Sequence, residues 1–148
     1  MHRALPTLAA TEALAAQLAA LVRPGDAILL DGPLGAGKTA FARAFLRSLS
    51  ANPALEVPSP TFTLVQTYDS PSGPVHHFDL WRLDGPAALA ELALAELGWD
   101  DMTDDIVLVE WPDRLGGLKP PDSLTIRLDH ASQEARQATL TGWPDRLS

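Results

Sequence analysis

The chain has 148 residues, 46% of them hydrophobic, and a formal net charge of -8. This length and composition can build one hydrophobic core, so we predict a single domain over residues 1–148. The excess of acidic side chains argues against direct electrostatic binding of a nucleic acid, and the absence of cysteine excludes disulfides, thiolate metal sites and a cysteine nucleophile.

The N-terminal segment is rich in alanine and leucine and predicts a helix from about Thr7 to Val22. Its charge-free stretch, residues 13–22, is too short to span a membrane. We therefore expect no membrane contact, and the lack of cysteine fits a cytoplasmic protein. A turn at Pro24-Gly25-Asp26 then leads into Ala27-Ile28-Leu29-Leu30, an apolar run typical of a buried parallel strand.

The next segment, GPLGAGKT, fits the phosphate-binding pattern G-x-x-x-x-G-K-[ST] and lies between this strand and a helical pattern that ends near Leu49. Its glycines let the backbone turn so that N–H groups face the phosphates. Lys38 would reach the β- and γ-phosphates, and the Thr39 hydroxyl would hold Mg²⁺. A glycine-rich turn with an incidental lysine is the alternative. The residues that we predict to contact the nucleotide here are Gly32, Leu34, Gly35, Ala36, Gly37, Lys38, Thr39 and Ala40.

After this helix, Val57-Pro58-Ser59-Pro60 predicts a rigid extended link, and the β-rich stretch from Thr61 to Tyr68 predicts a strand. The link and the start of this strand occupy the position of the switch I segment of a GTPase, in which a hydroxyl senses the γ-phosphate through Mg²⁺. Thr61 and Thr63 point to the same side of an extended chain, so one would face the nucleotide and the other would fix the loop. A threonine-rich edge strand is the alternative.

The second half of the chain predicts a hairpin turn over residues 69–74, a strand from Val75 to Leu80, and a helix with Asp84 as N-cap, Pro86 in its first turn and Gly98 as its stop signal. The uniformly apolar run at 106–109 predicts a strand buried on both faces. Late strands are expected at about 123–128 and 136–140. The predicted fold class is α/β, a mixed β-sheet flanked by helices, with its ligand site at strand ends.

Two acidic residues directly follow predicted strands, where a P-loop protein needs a carboxylate near its metal. We assign Glu110 to the metal, because its strand is the more buried type, and Asp79 to the attacking water or to the metal through water. Each could instead cap a neighbouring loop. Trp111 would lie against the nucleotide or fill an end of the core, and His76 and His77 face opposite sides of their strand, which argues against a paired metal site.

The blocks GPLGAGKT, SPTFTLV, HFDLWRL and VEWPDRL occur in this order. Together they resemble the TsaE family, bacterial P-loop ATPases that assist threonylcarbamoyladenosine formation on tRNA, over about Thr7 to Leu140. The resemblance implies ATP and Mg²⁺ as ligands. It also implies partner proteins of the tRNA threonylcarbamoyl-transferase complex, which modifies adenosine 37, with tRNA contacted only through those partners.

The resemblance also implies site residues. Departures from the family pattern are small: Pro33 replaces an aspartate, and Phe62 and Trp81 replace tyrosines. The residues that the resemblance implies are, for catalysis, Lys38, Thr61, Thr63 and Asp79; for Mg²⁺, Thr39 and Glu110; and for the nucleotide beyond the P-loop, Thr11 at the base, Trp111, and Arg136 at the nucleotide edge.

Other functions share the P-loop. A small-molecule kinase would need a second substrate pocket and an arginine-bearing lid, whereas the arginines here are scattered. A nucleotide-gated binding module would keep Lys38 and Thr39 without hydrolysing ATP faster beside its partners. A GTPase is disfavoured because N-K-x-D is absent. No arginine lies in an obvious finger position near Asp79, Thr61 and Thr63, Arg82 and Arg114 being the closest in sequence, so we expect an ATPase that is slow alone and stimulated by partners.

Overall fold

The computed structural model describes residues 1–147 of the chain. Within them, α1 is Leu8–Ala19, α2 is Lys38–Leu49 and α3 is Ala87–Glu96, and two 3₁₀ segments cover Trp99–Met102 and Pro112–Leu118. The strands of the described chain form one seven-stranded sheet: β1 His2–Leu5, β2 Ala27–Asp31, β3 Val65–Tyr68, β4 Val75–Asp79, β5 Ile106–Glu110, β6 Leu124–His130 and β7 Arg136–Thr141.

The strands lie in the order β1-β7-β6-β2-β5-β4-β3. The four central strands β6, β2, β5 and β4 are parallel, whereas β7 and β1 at one edge and β3 at the other pair antiparallel. This mixed sheet flanked by helices confirms the predicted α/β fold. Because β2, β5 and β4 are parallel neighbours, their carboxyl ends lie at the same edge of the sheet, where ligands of such folds bind.

Strands β2, β4 and β5 are buried on both faces because their hydrophobic side chains alternate between two hydrophobic clusters, whereas β6 is buried on one face. On one face, Ile28 of β2 packs in a cluster with Phe41 of α2 and residues of α1. On the other face, Leu29 of β2 packs with Phe78 of β4 and Leu94 of α3. The predicted burial of β5 on both faces is confirmed. A short apolar strand can therefore be recognised from sequence when both faces are covered.

The predicted start of α1 is correct, whereas the predicted start of α3 is wrong. Thr7 caps α1, and its side-chain oxygen accepts a hydrogen bond from the Ala10 N–H at 3.2 Å. The predicted N-cap Asp84 is wrong, because Pro86 has an extended ψ of 134° and α3 begins only after it. Pro86 itself therefore caps the helix and does not lie in its first turn. Gly98 ends this region with φ +84°, which confirms the stop signal.

The predicted strand from Thr61 to Tyr68 is correct only in its second half. Residues 61–63 form a turn, closed by a 2.6 Å hydrogen bond from the Leu64 N–H to the carbonyl of Pro60. The predicted placement of Thr61 and Thr63 on one side of an extended chain is therefore wrong.

Strand β1 was not predicted, since it has four residues and one buried side chain, too few to show a period. The hairpin turn between β3 and β4 is confirmed, and so are both late strands, which run a little longer than the sequence indicates. In the part of the chain that the structure describes, no helix is long and apolar enough to cross a membrane.

Candidate nucleotide-binding site

The loop between β2 and α2 depends on glycines. The backbone φ angles of Gly32, Gly35 and Gly37 are +140°, +78° and +104°. Residues other than glycine rarely adopt these angles. A Cβ atom on Gly32 would also overlap the carbonyl oxygen of Leu128 in β6. Gly37 is the N-cap of α2, so the first N–H groups of that helix are directed into the loop. The loop therefore has the geometry that binds anions.

Lys38, the first residue of α2, is only 6% exposed. Its Nζ donates a hydrogen bond to the carbonyl oxygen of Gly32 at 2.5 Å and lies 3.4 Å from the centroid of the Trp111 ring. Burial lowers the pKa of Lys38 below its usual value, and nearby carboxylates, Glu110 first among them, partly counter this by favouring the cation. The ammonium is thus a positive charge held at the edge of a partly dry site.

An open cavity of about 460 Å³ lies beside this loop, at the carboxyl ends of β4 and β5. From the loop and the start of α2 it is lined by Leu34, Gly35, Gly37, Lys38 and Thr39. From the rest of the chain it is lined by Ser59, Thr61, Asp79, Trp81, Glu110 and Trp111. The tertiary structure therefore brings most of the predicted site residues together around one space.

Asp79, the last residue of β4, holds the segment that follows α2 against this cavity. Its Oδ2 accepts hydrogen bonds from the Ser59 hydroxyl at 3.1 Å and the Thr61 hydroxyl at 3.0 Å. Its Oδ1 accepts the backbone N–H of Trp81 at 3.1 Å. Asp79 is buried, with 5% of its surface exposed, and both of its carboxylate oxygens accept hydrogen bonds. The orientation of the carboxylate is therefore fixed.

Glu110, the last residue of β5, is 2% exposed and pairs with His77 of β4 at 2.7 Å from Oε2 to Nε2. The parallel register sets Asp79 opposite Glu110, so the two carboxylates reach the cavity from neighbouring strands. His76 faces away, and its Nε2 lies 2.8 Å from Oδ2 of Asp105. The prediction that the two histidines point to opposite sides is confirmed.

Trp111 follows Glu110 with φ 60° and ψ 54°, a left-handed backbone that a bulky residue adopts only where its surroundings hold it. The centroids of the Trp111 and Trp81 rings are 4.5 Å apart. The Arg114 guanidinium lies 5.7 Å from the centroid of the Trp111 ring. Lys38 covers the ring as well. From the sequence, Trp111 could either lie against the nucleotide or fill an end of the core. In the structure its side chain lines the cavity.

Several predicted site residues lie outside the cavity lining. Thr63 is exposed and accepts a hydrogen bond from Gln66 Nε2 at 3.4 Å, and Thr11 is buried in α1. Arg136 of β7 approaches the loop, its guanidinium donating to the carbonyl of Gly35 at 3.4 Å. The roles assigned to Thr11, Thr63 and Arg136 stay predictions. The predicted loop residues that do not line the cavity are Gly32, Ala36 and Ala40.

The residues present fit a magnesium nucleotide. Mg²⁺ is usually bound by one or two protein oxygens together with phosphate oxygens and water. The Thr39 hydroxyl and the Glu110 carboxylate supply such oxygens on the walls of a cavity that Gly35, Gly37 and Lys38 also line. Phosphate groups in this space would meet N–H donors and a cation on one side and metal ligands on the other.

Sequence reasoning missed three contributors to the site. Ser59 shares its segment with Thr61, and that proximity was the signal that could have found it. His77 precedes Asp79 by two residues, which puts both on one face of β4. Trp81 lies beyond the strand end, where no periodicity indicates the direction of a side chain.

Comparison with known proteins places the chain in a family. Residues 5–138 match the family model of the threonylcarbamoyl adenosine biosynthesis protein TsaE. Among proteins named tRNA threonylcarbamoyladenosine biosynthesis protein TsaE, that of Bacillus subtilis is 33% identical over 138 residues, which cover 92% of this chain and 82% of the relative. That of Rickettsia felis is 32% identical over 130 residues, covering 88% and 73%. That of a Synechocystis strain is 40% identical over 116 residues, covering 77% and 71%.

A solved structure agrees with this assignment. The crystal structure of Bacillus subtilis YdiB is similar with a TM-score of 0.75 at 28% identity, covering 99% of this chain and 87% of that one. The chain therefore belongs to the TsaE family of tRNA threonylcarbamoyladenosine biosynthesis proteins.

Proposed function

We propose that this chain is a Mg²⁺-dependent ATP hydrolase that supports threonylcarbamoyl transfer to adenosine 37 of tRNA as an accessory subunit of the transferase complex. The observation that carries the proposal is one cavity lined by Gly35 and Gly37 of the loop, the buried Lys38 and the carboxylates of Asp79 and Glu110. Membership of a family in tRNA threonylcarbamoyladenosine biosynthesis supports the pathway.

The loop and Lys38 bind the phosphates in this proposal. The N–H groups at the start of α2 and the Lys38 ammonium face the same space, so their positive charge favours the β- and γ-phosphates. Lys38 would exchange its hydrogen bond to the Gly32 carbonyl for one to a phosphate oxygen. A phosphate would also favour the ammonium form, which burial alone disfavours.

Thr39 and Glu110 hold the metal in this proposal, because both line the cavity beside Lys38. When bound, Mg²⁺ would neutralise charge on the phosphate oxygens. Asp79 is assigned to the attacking water. Its orientation is set by the hydrogen bonds from Ser59, Thr61 and the Trp81 N–H, so it can accept the hydrogen of a water at a fixed position in the cavity.

A partner protein completes the site in this proposal. No arginine lines the cavity within residues 1–147. Arg82 lies over the ring of Phe62 at 5.1 Å, and Arg114 lies against Trp111 and pairs with Asp113. The transition state of phosphoryl transfer is less stabilised when no arginine contacts the charge on the transferring group. We therefore propose a slow ATPase that transferase proteins stimulate in the cytoplasm, either by supplying a cation or by ordering the segment that contains Ser59 and Thr61.

Phosphate release tests the proposal. It is measured with ATP, with GTP and without nucleotide, each in the presence and absence of the candidate transferase proteins and tRNA. We expect slow release from ATP alone and ~10³ to 10⁵ times faster release where a partner supplies the missing cation. A fast rate that partners leave unaltered would favour a kinase-like site that is complete in itself. Tight ATP binding with no release under any condition would favour the nucleotide-gated binding module.

A further inference from the structure

A buried hydrogen bond joins His77 of β4 to Glu110, the proposed metal ligand at the end of β5. We infer that His77 is a positioning residue for the metal site: its Nε2–H holds Oε2 of Glu110 and leaves Oε1 for the metal. The inference rests on the proposed function, because it requires that Glu110 binds Mg²⁺. His77 orients the carboxylate and does not itself line the cavity.

The geometry fixes where the proton of His77 lies. An ionised carboxylate oxygen can only accept a hydrogen bond, so the 2.7 Å contact to Oε2 requires the hydrogen on Nε2. Nδ1 of the same ring is buried and has no hydrogen-bond partner among residues 1–147. A buried acceptor without a partner is less unusual than a buried donor without one. The structure therefore assigns His77 the tautomer with hydrogen on Nε2 and a bare Nδ1.

Glu110 needs this donor. The side chain is 2% exposed, and in the part of the chain that the structure describes its hydrogen bond is the one from His77. Lys38 attracts the carboxylate through space but gives its own hydrogen bond to the carbonyl of Gly32. Without His77, Glu110 would be a buried carboxylate with no donor, and it would turn toward Lys38. That change withdraws it from a metal.

The chain contains a matched pair that separates this effect from a loss of packing. His76 is the neighbouring residue on β4, is also buried, and contacts the carboxylate of Asp105 at 2.8 Å from Nε2 to Oδ2. Asp105 does not line the cavity beside the P-loop. Replacing His76 therefore removes a similar contact between histidine and carboxylate from the same strand without touching the proposed metal site.

The test measures how Mg²⁺ changes nucleotide binding. A non-hydrolysable ATP analogue is titrated by calorimetry into the folded full chain at graded Mg²⁺ concentrations and in chelator, for the wild type and for His77→Leu, His77→Gln, His76→Leu and Glu110→Gln. The analogue should bind in chelator with similar affinity in His77→Leu and wild type. The Mg²⁺ concentration that gives half of the Mg²⁺-dependent change in analogue affinity should rise by about 10- to 100-fold in His77→Leu. His77→Gln, whose amide can donate from nearly the position of Nε2, should stay close to wild type, as should His76→Leu.

The outcomes distinguish the inference from the proposed function. An unchanged Mg²⁺ dependence in Glu110→Gln would overturn the assignment of that carboxylate to the metal, and the His77 inference with it. A changed dependence in Glu110→Gln beside an unchanged one in His77→Leu would overturn the inference alone. Equal losses in His77→Leu and His76→Leu would also overturn it, because they would reflect packing.

Two further measurements keep the inference testable if His77→Leu does not fold. His77→Asn is polar like His77→Gln but one methylene shorter, so its amide cannot reach Oε2. The rise in the half-saturating Mg²⁺ concentration should therefore occur only in the asparagine variant. A long-range ¹H–¹⁵N spectrum of the wild type, assigned by the signals missing in His77→Gln, should show hydrogen on Nε2 of His77. Hydrogen on Nδ1, or equal behaviour of the two amide variants, would overturn the inference.

Discussion

The ammonium of Lys38 lies 3.4 Å above the centroid of the Trp111 indole ring. This contact joins the start of α2 to the residue that follows Glu110, so the cation of the loop and the carboxyl end of β5 are fixed relative to each other. Cation–π contacts of this kind are worth about 0.5–1 kcal/mol at exposed sites and about 2 kcal/mol when dry. Trp111 thereby contributes to the site through Lys38 as well as through its own surface.

Lys38→Ala should remove tight binding of Mg-ATP, because the variant loses the cation that faces the phosphates. A hydrogen bond to a charged group in such a site contributes about 1.5–3 kcal/mol, so its loss should make the dissociation constant roughly ten- to hundredfold larger. Calorimetry with Mg-ATP measures this dissociation constant. Lys119→Ala is the matched control, since Lys119 is the other lysine of the chain and is exposed. An unchanged dissociation constant in Lys38→Ala would refute the phosphate assignment of the loop.

Glu110→Gln and Asp79→Asn should have different effects. We expect Glu110→Gln to weaken Mg²⁺-dependent binding, because an amide is a poor substitute for a metal-binding carboxylate. Asp79→Asn should mainly slow hydrolysis, because the amide accepts hydrogen bonds less well from Ser59, Thr61 and the water. Nucleotide titration and single-turnover phosphate release separate the two effects. If the effects were exchanged between the variants, the two assignments would have to be exchanged as well.

Tryptophan emission should change when ATP is added, since Trp111 lines the cavity under Lys38. Trp81 also lines the cavity, whereas Trp99 and Trp143 are buried elsewhere. The change should therefore be largely lost in Trp111→Phe, and Trp81→Phe should retain a part of it. Titration of each variant with ATP is the measurement. A full signal in Trp111→Phe would remove this residue from the nucleotide contacts.

Gly32→Ala should destabilise the fold. The new Cβ would overlap the carbonyl of Leu128, and overpacking of this kind costs about 1–3 kcal/mol in addition to about 1–3 kcal/mol for the unfavourable φ. Gly73→Ala is the control, because Gly73 has φ +101° with open space around it. Urea unfolding of both variants gives the free energies of unfolding. Equal losses in the two variants would mean that β6 moves aside at no cost.

Local conformational preferences explain which parts of the fold and the site could be predicted from the sequence. The loop GPLGAGKT, the strands that carry Asp79 and Glu110, and the helix with Phe41 were predicted correctly, because glycine conformation and apolar spacing act over a few residues. The predicted N-cap Asp84 and the extended Thr61–Thr63 segment were wrong. In both places a proline and its neighbours set the backbone, and local polar residues were misread as caps or strand.

The sequence by itself determined the glycine loop between β2 and α2, the α/β class and which acidic residues end β4 and β5, since each depends on residues close together in the chain. Only the tertiary structure decided that His77 meets Glu110, that Ser59 and Thr61 meet Asp79, and that Lys38 covers Trp111. These contacts depend on the order and register of strands that are distant in sequence. A one-residue shift in that register would turn the strand side chains of His77, Asp79 and Glu110 to the opposite face of the sheet.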